Sequence, residues 1–183
     1  MHGIIVNGGT VGNVIPDAAV LLYRVRATSS KDLAFLKGKL VEFIHAAALS
    51  TGCTVDIDFS TKDPRSGPYM GMIHSRTMSH LYKKYSAAEG VIFVDGVPSF
   101  SGSTDMGNVS LVVPSIHPSF YIGQPYMIHT RDFARLAGSA DAQKYTLIAA
   151  KSLALTAVEL YRNKEVRDRA KQEFQLQKRL LLD

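Results

Sequence analysis

The alternation of apolar and polar positions changes period along the chain, and each period predicts an element. His2 to Val6 is a short apolar run closed by the turn signal Asn7-Gly8-Gly9. Ala18 to Arg26 alternates as a strand: Ala19, Leu21, Tyr23 and Val25 share one face, and Val20, Leu22, Arg24 and Arg26 share the other. Leu33, Leu36, Leu40, Ile44 and Ala47 then keep helical spacing, with Ser29 or Ser30 as the cap and Gly52 as the stop. Cys53 to Phe59 alternates again, which predicts a half-buried strand. Strand, strand, helix, strand is most of a βαββαβ sandwich without its first strand and helix.

A break follows. Thr61 to Tyr69 carries Pro64, Gly67 and Pro68 with mixed charge and reads as a linker. Tyr69 to Tyr85 has helical spacing through Ile73, Thr77, Leu81, Tyr82 and Tyr85, and Val91 to Val94 and Val109 to Val113 read as strands. Ser139, with Asp141 in the first turn, starts a long helix from Ala140 to about Arg162. Its Leu147, Ala150, Leu153, Ala154, Ala157 and Val158 face suits packing on a sheet, and a basic helix runs to the end. The fold class is α/β, in two domains divided near residue 60.

Composition narrows the class. With 183 residues, 46% hydrophobic and 20% charged, the chain is globular and long enough to bury a core. No apolar run has the length of a membrane span, and the first residues lack a signal-peptide pattern, so the chain reads as cytoplasmic and without a membrane partner. The single cysteine, Cys53, fits a reducing compartment and reads as a buried structural thiol. Much of the net charge of +5 is terminal, where Arg162, Lys164, Arg167, Arg169, Lys171, Lys178 and Arg179 are set against Glu165, Asp168, Glu173 and Asp183. Mixed signs at helical spacing mark a solvated face and argue against nucleic acid.

The chemistry-bearing residues gather in Gly102-Ser103-Thr104-Asp105-Met106-Gly107-Asn108, followed by Val113-Pro114-Ser115-Ile116-His117-Pro118 and Ile128-His129-Thr130. Two glycines bracket side chains with oxygen acceptors. The segment is therefore a hydrogen-bonded Asx or Ser/Thr turn, or the rim of an active site with His129 as metal ligand or acid/base. Arg24 and Arg26 end a strand on one face, either to leave the sheet for water or to clamp a carboxylate. His45 reads as a boundary histidine. His74 and His80, six residues apart, fall on different helix faces and do not share a metal.

In order, these motifs resemble the C-terminal part of the aminoacylase/carboxypeptidase G family of metal-dependent amidohydrolases, within it the aminobenzoyl-glutamate hydrolase and β-alanyl-lysine dipeptidase branch. The resemblance extends over nearly the whole chain. It implies that residues 1–60 are the second half of a βαββαβ lid that also forms a homodimer, and 61–183 the C-terminal part of an α/β metallo-exopeptidase catalytic domain. Asn13, in Asn13-Val14-Ile15-Pro16, matches the lid asparagine near the scissile carbonyl, and Arg26, thirteen residues on, the arginine that grips the substrate carboxylate. Gly102 and Ser103 match the loop lining the substrate pocket, Asp105 the acid beside it, and His129 the last metal-ligand histidine. His117 matches a position without an assigned role and reads as structural.

The resemblance further implies two divalent ions, zinc or manganese, that acidify a water for a glutamate base, and a substrate that is an N-acyl amino acid or dipeptide-like amide with a free carboxylate. The remaining ligands, the Glu-Glu base pair and the oxyanion histidine of the family lie upstream of the matched segments. This sequence has no Cys-x-His, no adjacent glutamates and no Ala-His-Ala. The expectation is a fragment or truncated form that is inactive and metal-free alone. The alternative is a non-catalytic oligomerisation or regulatory partner of a full-length relative.

Overall fold

The computed structural model describes residues 1–27, 29–59, 67–94 and 102–182, and for 181 and 182 the backbone only. Most of the linker expected at 61–69 lies outside the described residues. The chain divides into two compact units, Met1–Gly71 and Met72–Asp183.

In the first unit, β1 (His2–Asn7) and β2 (Val20–Arg24) form an antiparallel hairpin with His2 opposite Arg24 and Asn7 opposite Val20. The register slips between Ile5 and Asn7, so a bulge at Val6 interrupts the ladder. Every residue of both strands is exposed. The strand ends at Arg24, two residues short of the predicted end, and Arg26 stands beyond it in the connection to the next helix.

That helix, α1 (Ser30–Thr51), has the predicted ends. Ser29 Oγ accepts from Asp32 N at 3.0 Å, and Gly52, at φ 71°, lets Cys53 N reach Ala48 O at 3.0 Å. Leu40 is its buried residue, while Phe35, Phe43 and Leu49 are exposed. Cys53 to Phe59 forms no strand among the described residues, contrary to its alternation. A strand needs a partner to receive its amides, and none is paired with it here. The segment leans back on α1 instead, with Lys37 Nζ 3.8 Å from the Phe59 ring centre. Cys53 is exposed, which overturns the buried thiol.

The second unit is built on helices. α2 (Arg76–Ala88) packs against α5 (Ala140–Arg162) and α6 (Lys164–Leu182), α5 also touches α6, and the short α4 (Arg131–Ala137) lies on α5. Leu81, Tyr82, Ala142, Ala149, Ala170 and Phe174 are buried between them. Fully burying one side chain of the larger kind contributes about 1.5–3 kcal/mol. α5 turns a different face inward from the one predicted. Ala142, Ala149, Ser152 and Thr156 are buried, whereas Leu147, Leu153 and Val158 are exposed. Small side chains allow two helices to approach closely, and the Ser152 and Thr156 hydroxyls donate back to Ile148 O and Ser152 O at 2.8 Å. At the α2–α5 seam, Tyr85 Oη donates to Glu159 Oε2 at 2.9 Å and Lys151 Nζ meets Glu89 Oε1 at 2.6 Å.

Three further sequence expectations fail in this unit. α2 begins at Arg76, not near Tyr69, because Ser75 caps it: Ser75 Oγ accepts from Met78 N at 3.2 Å. Val109 to Val113 is not a strand, since Met106–Ser110 forms a short helix, α3, and the chain turns through Leu111 to Val113. Val91 to Val94 is likewise in no strand. No helix among the described residues is long and apolar enough to cross a membrane.

Candidate functional site

Residues 102–118 are held by two hydroxyls and one backbone carbonyl. Thr104 Oγ1 accepts from Met106 N at 3.2 Å, which starts α3 as a Ser/Thr turn. Ser110, 0% exposed, donates its Oγ proton to Gly107 O at 2.7 Å and accepts from Ile73 N at 2.9 Å. Ser115 O accepts from Ser75 N at 2.9 Å. The hydrogen-bonded turn is thus present. It also holds Asp105, an exposed side chain at the start of α3, beside the exposed Gly102 and Ser103.

His117 joins this turn. Its Nδ1 lies 3.4 Å from Thr104 Oγ1, and its ring lines a cleft of about 320 Å³ together with His74, Tyr82, Phe93, Ile116 and Pro118. Helical spacing from Tyr69 predicts His74 inside a helix. The Ser75 cap puts it just ahead of α2, and this is the signal that could have freed it. His80 is exposed on α2.

His129 occupies a different part of the unit. It has φ 66°, the left-handed region, which costs a residue with a Cβ about 1–2 kcal/mol. The turn that imposes this is closed by Thr130, whose Oγ1 donates to Met127 O at 2.7 Å and accepts from Phe133 N at 3.2 Å to cap α4. Strain of this kind collects at functional positions and is retained where the surroundings enforce it. Upstream, Gly123 at φ 113° has Tyr145 3.4 Å from where a Cβ would stand. There Tyr121 Oη donates to Gly123 O and stacks edge-on against Tyr145.

In the first unit, Asn13 lies exposed in the hairpin loop, where Val14 N reaches Val11 O at 3.5 Å, and Arg26 follows the far end of the ladder. Within the second unit the structure gathers Gly102, Ser103, Asp105 and His117 around one turn and sets His129 in another exposed segment; Asn13 and Arg26 are exposed residues of the first unit. A catalytic zinc centre takes three protein ligands with a fourth position open. Among the described residues no three His, Cys, Asp or Glu side chains are grouped to hold a metal. These residues alone do not fit the metal pair that the resemblance implies.

The prominent pKa shifts lie away from this turn. The hydrogen bond to Glu159 raises the Tyr85 phenol above its usual value, and those from Tyr85 and Asn163 lower the Glu159 carboxyl. The bond from Lys164 lowers Asp168.

With this geometry in place, comparison shows the chain to be similar throughout its length to part of a class of dipeptidases. It is 43% identical over 188 aligned residues to the mouse protein named Xaa-Arg dipeptidase, and 39% identical over 179 to the human protein of that name. The alignments cover 100% and 96% of this chain but only 42% and 40% of the relatives, so the chain spans about two-fifths of their length. No protein-family model matches it.

Proposed function

We propose that this chain is part of a metal-dependent amidohydrolase of the dipeptidase type, and that on its own it binds substrate groups without hydrolysing them. The carrying observation is the 43% identity with a dipeptidase along the entire chain. The substrate is a dipeptide with C-terminal arginine, as the relatives' name says of them, or a related amide with a free carboxylate. Arg26 pairs with that carboxylate through two parallel charge-assisted bonds. Asn13 hydrogen-bonds near the scissile carbonyl. Gly102 and Ser103 line the pocket, Asp105 stands beside it, and His129 is one ligand of a zinc or manganese ion. Residues 1–60 belong to a lid and 61–183 to a catalytic domain, in the branch with aminobenzoyl-glutamate hydrolase. No hydrolytic step is assigned to these residues, because the sequence has no adjacent glutamates to supply the base.

Titration of the 183-residue chain with an Xaa-Arg dipeptide, followed residue by residue by NMR, tests the anchoring role. The expected result is a carboxylate-dependent shift at Arg26 and Asn13 that Arg26→Ala removes. Shifts elsewhere only, or none at millimolar peptide, would contradict it.

One observation favours a second reading, a non-catalytic oligomerisation partner of a full-length relative: Ile4, Ile5, Leu21 and Leu22 of the hairpin are all exposed. Exposed apolar strands invite pairing. Co-purification with a full-length relative would support this reading, and a chain that stays monomeric on light scattering would remove it.

A further inference from the structure

α6 lies far along the chain from the turn at 102–118, yet one of its carboxylates reaches the segment that holds this turn. Glu173 Oε1 accepts from Arg76 N at 2.7 Å, and Oε2 accepts from Thr77 N at 3.0 Å and from Ser75 Oγ at 3.3 Å. One helical turn on, Gln177 Nε2 donates to His74 O at 3.4 Å. The same short stretch, Ile73 to Thr77, sends two earlier amides the other way. Ile73 N goes to Ser110 Oγ and Ser75 N to Ser115 O, both at 2.9 Å. Ser110 in turn fastens Gly107 O, and His117 meets Thr104. The path from α6 to the turn therefore consists of consecutive hydrogen bonds through one stretch of backbone.

Chemistry explains why a glutamate suits this place. The first amides of α2 have no intrahelical acceptor and carry the positive end of the helix dipole, so an anion there satisfies two donors at once. Ser75 takes a third with its own side chain. With both groups in place, residues 73–77 have little freedom to shift, and Ser110 and Ser115 are held to them.

We propose that Glu173 is a positioning residue for the turn that carries Gly102, Ser103 and Asp105: its carboxylate fixes the start of α2, and α2 fixes the turn. The importance of that turn rests on the dipeptidase reading above, whereas the mechanical coupling does not. Glu173 touches no substrate group. A change at α6 reaches the turn through Ile73 and Ser75.

Amide hydrogen exchange on the full 183-residue chain tests the coupling without any need for catalysis. Glu173→Ala should speed exchange at Ile73, Ser75, Gly107 and Asn108 by about tenfold more than at buried α5 amides such as Ala149 and Ser152. Glu173→Gln, which keeps one acceptor oxygen, should fall between Ala and the native chain, and it keeps the test decisive if the alanine variant folds poorly. Tyr85→Phe serves as the control: it breaks a bond at the α2–α5 seam and should leave Gly107 and Asn108 no more affected than α5. If the Glu173 variants accelerate the turn and α5 by the same factor, Glu173 is only a stabilising cap and the proposal is overturned. Failure of peptide binding at Arg26 with this exchange pattern intact would remove the dipeptidase reading and leave the coupling standing.

Discussion

The hairpin of the first unit and the α2–α5–α6 cluster of the second are both written in apolar residues, but they use them differently. In the hairpin, Ile5 is 69% exposed and no strand residue is buried. In the cluster, Phe174 is 6% exposed and even the hydroxyls of Ser152 and Thr156 are enclosed. An apolar residue stabilises a fold only by contact with something else, and its pattern alone does not say whether that contact exists.

Substitutions should separate the two regions sharply. Phe174→Ala should cost about 3–5 kcal/mol in a denaturant midpoint, while Ile5→Ala in the exposed hairpin should stay within about 0.5 kcal/mol. A large loss at Ile5 would mean the hairpin is covered in solution, for instance by a second chain.

Ser110→Ala comes next in size. It strands Ile73 N and frees Gly107 O in a buried place, at about 1–3 kcal/mol. A smaller effect belongs to His129. Glycine relieves the left-handed backbone, so His129→Gly should be up to about 1 kcal/mol more stable than His129→Ala. Equal stability would show that the φ of 66° is not enforced in solution.

The Tyr85–Glu159 bond sharpens the comparison through pH. Glu159 is lowered from 4.5, so its contribution is present at neutral pH and is lost as pH falls through the folded value, below 4.5. Tyr85 is raised from 10.0, so its contribution persists up to that pH and is lost as pH rises through the folded value above it. The stability difference between the native chain and Tyr85→Phe should therefore be flat between these limits and shrink at both ends. A difference that grows toward low pH would contradict the assignment. The smallest effect is expected on the exposed face of α1, where breaking the Lys39–Glu42 pair should change stability by a few tenths of a kcal/mol.

Legibility followed the range of the interactions. The ends of α1 were readable to within a residue because Ser29 or Ser30 and Gly52 are local signals, and α5 was readable from its Ser139 start and Asp141. Which face of α5 turns inward was not readable. Leucine marks hydrophobicity, but close helix contact selected Ala142, Ala149 and Ser152. The strands expected at 53–59, 91–94 and 109–113 depend on partners that no local pattern specifies. At 109–113 the Thr104 turn and the Ser110 hydroxyl tipped the chain into α3 instead. Gly102, Ser103, Asp105, Asn13, Arg26 and His129 could be named as candidates from motifs, and of these the turn carries Gly102, Ser103 and Asp105. The contact of His117 with Thr104 and the reach of Glu173 to α2 could not, since each joins residues distant in sequence.

The function proposed above gives this chain the substrate's anchoring residues and one metal ligand but not the means to activate water. Its most direct test offers the purified chain an Xaa-Arg dipeptide with zinc or manganese and measures free arginine. The account predicts no release beyond that with the metal alone. Metal-dependent release that His129→Ala abolishes would contradict it.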